Sequence, residues 1–94
     1  METKVRARVI VSGRVQGVFF RMETRRAAER HGVFGWVKNR ADGTVEAVFE
    51  GDKEKVDAVI DWCRRGPRHA DVQGIDIHAE NYTGEFKEFN ITYS

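Results

Sequence analysis

Between Val5 and His31 the spacing of apolar residues changes from a period of two to a helical one. The stretch Val11-Ser-Gly-Arg-Val-Gln-Gly-Val-Phe-Phe-Arg21 sits at the change. Before it, Val5, Ala7, Val9 and Val11 alternate with Arg6, Arg8, Ile10 and Ser12, the pattern of a strand with one apolar face. After it, Arg21-Met-Glu-Thr-Arg-Arg-Ala-Ala-Glu-Arg30 is rich in helix formers and holds neither Gly nor Pro. A helix is therefore predicted over 20–31, ended by Gly32. Thr24, Ala27, Ala28 and His31 fall on its inner face, with Arg25, Arg26, Glu29 and Arg30 outward. The loop over 13–19 carries Gly13 and Gly17. Such a passage from strand to helix start is a ready anion site, because backbone N–H groups converge there and the helix dipole adds positive charge. It is equally an ordinary tight connection, and the glycines alone do not separate the two readings.

The remaining pattern sets the topology. Phe34 to Arg40 reads as a second strand and Asp42-Gly43 as a hairpin turn. Thr44 to Glu50 is a third strand, with Val45, Ala47 and Phe49 on one face and Glu46 and Glu50 on the other, expected to be solvated. Asp52 is expected to cap a helix over 53–65, whose Val56, Val59, Ile60 and Cys63 repeat at i, i+3, i+4 and i+7. Gly66-Pro67 stops it; Val72 to Ala79 is a fourth strand, Asn81 to Glu85 a polar link, and Phe86 to Tyr93 a last strand with Phe89, Ile91 and Tyr93 on one face. The order β-α-β-β-α-β plus a short strand predicts an α+β fold, a ferredoxin-like α/β sandwich in one domain over 1–94. Its sheet of four to five strands is mostly antiparallel, with two helices on one face. In that arrangement the first and second strands are parallel with the third between them, and the last is expected beside the second. The loop and Asn39 then meet at one edge of the sheet, which brings Arg21 near Asn39.

Composition removes most other chemistry. Lys and Arg number 16 against 15 Asp and Glu, a net charge of +1 that gives no bulk attraction to nucleic acid or an acidic membrane. One cysteine, Cys63, excludes an internal disulfide framework and a cysteine-rich metal site, and points to a reducing compartment. The N-terminal residues lack an apolar signal stretch and no run reaches membrane-spanning length, so a cytoplasmic location is expected. Asn81-Tyr-Thr and Asn90-Ile-Thr are read as chance glycosylation matches. His31, His69 and His78 have no metal-ligand spacing. Cys63 lies on an apolar helix face, the place of a structural thiol rather than a nucleophile. Neither serine, Ser12 or Ser94, has a base near it in sequence, and no carboxylate pair stands out. The aromatics Phe19, Phe20, Phe34, Trp36, Phe49, Trp62, Phe86 and Phe89 read mostly as core. What remains is the loop, Arg21 and Asn39.

At these residues the chain resembles a known family. Val11 to Arg21 is similar to the first signature of acylphosphatases, and Gly35-Trp-Val-Lys-Asn-Arg-Ala-Asp-Gly-Thr-Val-Glu46 to the second. Glu50-Gly51, Gly66-Pro67, Ala70-Asp-Val72 and Phe89-Asn-Ile-Thr-Tyr93 also resemble the family pattern, so the likeness spans nearly the whole chain. His31 departs from it, standing where the family usually has an apolar residue. The resemblance implies hydrolysis of a small-molecule acyl phosphate to a carboxylate and inorganic phosphate, without metal or cofactor; a monomer is the default expectation, and the balanced charge predicts no nucleic-acid or membrane partner. The resemblance further implies that Arg21 binds the phosphate and Asn39 positions the attacking water. The phosphate cradle would be Arg14, Val15, Gln16, Gly17, Val18, Phe19 and Phe20, together with Arg21. Two other readings are a ferredoxin-like module that binds an anion or RNA without turnover, and a carbamoyl-phosphate-handling domain of a larger protein.

Overall fold

The computed structural model describes residues 3–93; Met1, Glu2 and Ser94 lie outside them. The elements are β1 (Lys4–Arg14), α1 (Phe20–His31), β2 (Phe34–Asn39), β3 (Val45–Asp52), α2 (Lys53–Arg65), β4 (Asp71–Glu80) and β5 (Phe89–Ile91). They build one five-stranded sheet in the order β4-β1-β3-β2-β5. Neighbours are antiparallel except β2 and β5, which run parallel through Gly35–Phe89, Trp36–Asn90 and Val37–Ile91. β3 thus separates the parallel pair β1 and β2, the ferredoxin-like arrangement predicted, and the last strand does lie beside β2.

Alternation along the strands decides which face the helices cover. Ala7, Val9 and Val11 of β1, Val37 of β2, and Val45, Ala47 and Phe49 of β3 point into one core with Ala28 of α1 and Val56, Val59, Ile60 and Cys63 of α2. Phe49 stacks on Phe89 of β5 at 5.6 Å, and Phe20 tilts against Trp62 at 5.6 Å. Burial pushes the Cys63 thiol up to about 12, so at neutral pH it is a protonated core group, next to buried Thr24. α1 ends at Gly32 in the left-handed region, where Gly32 N–H reaches Glu29 O and Val33 N–H reaches Ala28 O at 2.8 Å. His31 is only half-buried in the last turn, since the inner face has run out of sheet to cover.

The opposite face of the sheet is not the solvated surface expected. Glu50 is 1% exposed. Arg6 donates from Nη1 to Glu50 at 3.1 Å and to Glu85 at 2.8 Å, and from Nε to Glu80 at 2.8 Å. Arg8 pairs with Glu46 and, at 2.8 Å, with Glu80. The predicted polar link folds down over this network: Thr83 N–H and Oγ1 donate to Glu50 at 2.9 Å, and Gly84 N–H at 3.0 Å. Arg6 also lies over the Phe86 ring, 5.3 Å from its centroid. A buried carboxylate needs this many donors because each lost one leaves charge in a poorly solvated place.

Three further expectations change for local reasons. Asp52 makes no side-chain cap on α2; Lys4 of the neighbouring β1 draws its carboxylate away, and Lys53 N–H donates to the Thr3 carbonyl at 2.8 Å. The last strand covers only Phe89–Ile91, because the residues before it are committed to Glu50 and Arg6; Tyr93 lies past its end and is 82% exposed. Phe19 and Phe34 belong to the surface rather than the core.

Burial by itself would raise the Glu50 carboxyl, but Thr83, Arg6 and Gly84 outweigh it and hold it below the usual range. The folded value being depressed, the stabilisation is complete above the unfolded value near ~4.3 and disappears as pH falls through the folded one. Glu50→Gln is expected to cost about 3 kcal/mol at pH 7 and to flatten the acid limb of a Tm-against-pH curve; an unchanged acid limb would remove Glu50 as its source.

Candidate active site

The chain leaves β1 at its C-terminal end, and β2, being parallel to β1, ends at the same edge. The site therefore forms where residues 15–21 pass Asn39. Gly13 and Arg14 are not in the turn but still in β1, paired with Val72 and Asp71 after a register shift at Ser12/Gly13. A Cβ on Gly13 would lie 2.2 Å from the Asp71 carbonyl oxygen, so this glycine serves strand contact.

Beyond Arg14 the loop is anchored by three residues. Val15 and Val18 are buried in the core. Gln16 Nε2 donates to the Arg40 and Thr44 carbonyls at 2.8 and 3.0 Å, tying the loop to the β2–β3 hairpin. Gly17 (φ 74°) and Phe19 (φ 63°) turn the backbone through the left-handed region. A phenylalanine there is strained by an amount on the order of 1–3 kcal/mol, and its ring is 69% exposed.

Phe19 is the N-cap of α1, yet no side chain caps the helix. The first backward bond runs from Glu23 N–H to Phe19 O at 3.0 Å, so the N–H groups of Phe20, Arg21 and Met22 have no partner within the helix. The uncapped end opens on a cleft of about 330 Å³. One wall is Val15, Gly17, Phe19, Phe20, Arg21 and Met22 from the loop and α1; the other is Asn39 of β2 with Ile91 and Tyr93 from β5 and its exit. Arg21 and Asn39 thus face one space. Arg14, Gln16 and Val18 do not line it.

Among the described residues no carboxylate pairs with Arg21; its guanidinium carbon lies 5.1 Å from the Tyr93 ring centroid. The Asn39 Oδ1 is buried without a hydrogen-bond partner. A buried acceptor left unpaired is costly, and here it borders the same space as an unpaired cation. The cleft lining contains no carboxylate, imidazole or thiol. Among the described residues no cluster of three or more His, Cys, Asp or Glu is placed to hold a metal ion. No helix among them is long and apolar enough to cross a membrane. Met22, Ile91 and Tyr93 were not singled out from sequence; only the parallel pairing of β5 with β2 carries Tyr93 to Arg21.

Comparison with known proteins identifies the family. The family model described as Acylphosphatase matches residues 7–91. An acylphosphatase of Syntrophus aciditrophicus is 58% identical over 88 residues, covering 94% of this chain and 92% of its own. One of Pelotomaculum thermopropionicum is 52% identical over 91 residues, covering 97% and 99%. The crystal structure of acylphosphatase from Bacillus subtilis matches with a TM-score of 0.91 at 34% identity, over 95% of this chain and 99% of that one. A likeness carried over this length by both sequence and fold places the chain in the acylphosphatase family.

Proposed function

We propose that the acylphosphatase activity of this chain is carried by Arg21, Asn39 and the loop over 14–20. The phosphoryl group of an acyl phosphate binds against the uncapped start of α1, with Arg21 as its cationic partner. Arg21 presents a planar fork with a permanent charge, matched to two phosphate oxygens. The loop and first-turn N–H groups stabilise the remaining charge without reorganising. The observation that carries this reading is the pairing of an unpaired guanidinium with an unpartnered amide oxygen in one cleft.

Water held by Asn39 attacks phosphorus, and the bond from phosphorus to the bridging oxygen breaks. The carboxylate departs with the electron pair, and the proton of the water passes to a phosphate oxygen. A carboxylate is a good leaving group and needs no acid. The transition state is loose, so positioning and charge stabilisation suffice. Asn39 is neutral and orients rather than deprotonates. The same reading has a single domain over 1–94 acting as a cytoplasmic monomer on small molecules, without metal or cofactor; the buried thiol of Cys63 fits a reducing compartment.

Phosphate release from benzoyl phosphate is expected to continue undiminished in EDTA, and absence of turnover would reject the reading. Arg21→Ala is expected to lower kcat/KM by a factor on the order of 10²–10³ and to abolish competitive inhibition by inorganic phosphate. Retained inhibition would remove Arg21 from the phosphate site. Asn39→Ala is expected to lower kcat while leaving phosphate inhibition nearly intact; parallel loss of both would assign Asn39 to phosphate binding instead.

A further inference from the structure

Three large apolar side chains stand exposed at the mouth of the cleft: Phe19 at 69%, Met22 at 38% and Tyr93 at 82%. Apolar surface left in water around a polar site marks what the rest of the ligand touches. Phe19 is the most informative of them. The left-handed turn at this position suits glycine, which would supply the same backbone without strain. A phenylalanine accepts the strain and gains no burial in return. Phe19 also borders a second cleft of about 330 Å³, formed with Val18, Trp62 and Pro67 and edged by Glu23, Arg68 and His69. Phe19 is therefore the ridge between the phosphate cleft and an adjoining, partly apolar one.

In-line displacement fixes which way the acyl group points. Water is held at the Asn39 wall, so the leaving carboxylate departs on the opposite side of phosphorus. The α1 start holds the phosphoryl oxygens, so the acyl group leaves along the mouth of the cleft on that side, where Phe19 and Met22 stand exposed. We propose that Phe19 is the residue that selects the acyl group, and that the body of the substrate crosses its ring toward the cleft of Val18, Trp62 and Pro67. The substrate class is acyl phosphates with an aryl or extended apolar body, in preference to acetyl or carbamoyl phosphate. This rests on the acylphosphatase reading of the same site.

The test compares kcat/KM for acetyl phosphate, benzoyl phosphate and biphenyl-4-carbonyl phosphate. Wild type is expected to favour benzoyl over acetyl by at least about tenfold and to keep or extend that gain for the biphenyl substrate. Phe19→Gly and Phe19→Asn both suit a positive φ. Each is expected to cut the benzoyl-to-acetyl ratio about tenfold, through KM for benzoyl phosphate. The ratio cancels any loss that a loosened loop inflicts on all substrates. An unchanged ratio in both variants, or a wild-type ratio near one, overturns the inference while leaving the enzyme an acylphosphatase. Failure of wild type on all three substrates would instead reject the function on which it rests.

Discussion

Two parallel strands cannot be joined by a tight hairpin; the chain must cross over the sheet before it returns. In this protein α1 makes that crossover between β1 and β2, and β3 then fills the gap between them. Almost everything at the candidate active site follows from this constraint. The exit of one strand and the end of the other come out on one edge. The crossover helix must start there, with its first N–H groups unpaired and facing the same edge. A cationic side chain one residue into that helix and an amide at the last residue of β2 then meet across a cleft without any long loop to carry them.

The second wall of the cleft depends on the far side of the sheet. Glu50 and Arg6 hold Thr83, Gly84 and Glu85 against the strands. With that segment fixed, the chain reaches the β2 edge at Glu88, whose carbonyl accepts from Gly35 N–H at 3.1 Å. Phe89 then drops into the core against Phe49. Thr92 N–H donates to Val37 O at 2.9 Å and leaves Tyr93 beside Arg21. An ion network on one face and an aromatic ring at a site on the edge are thereby the two ends of one fixed segment. This is a coupling through packed, hydrogen-bonded chain rather than through direct contact.

The sequence was legible wherever a single period governed a segment. α1 and α2 were placed to the residue, and β1 and β3 within about two residues, because in each a regular apolar period meets the core. Arg21 and Asn39 could be brought together from topology alone. Where reading failed, a side chain answered to a distant partner. Glu50 alternates as a surface residue should, yet Thr83 and Gly84, more than thirty positions away, cover it. Asp52 looks like a helix cap until Lys4 is seen across the strand. Tyr93 continues the alternation of Phe89 and Ile91, but the strand has ended. Gly13 and Gly17 look alike in the motif and both have a positive φ, but only Gly13 also lies hard against a neighbouring strand. Local periodicity carries no information about any of these.

β5 pairs with the sheet through only three residues, on one side, and in the parallel register that is slightly the weaker one. Short edge elements of this kind open at free energies well below that of global unfolding. When β5 lifts away, the cleft loses the Ile91 and Tyr93 wall, but Phe89 must also leave its buried place against Phe49, and β2 and α1 lose their packing on this strand. Exposing that ring costs apolar burial, which ties the opening of this edge to the core. The firmness of the cleft's second wall therefore rests on the burial of one phenylalanine, Phe89.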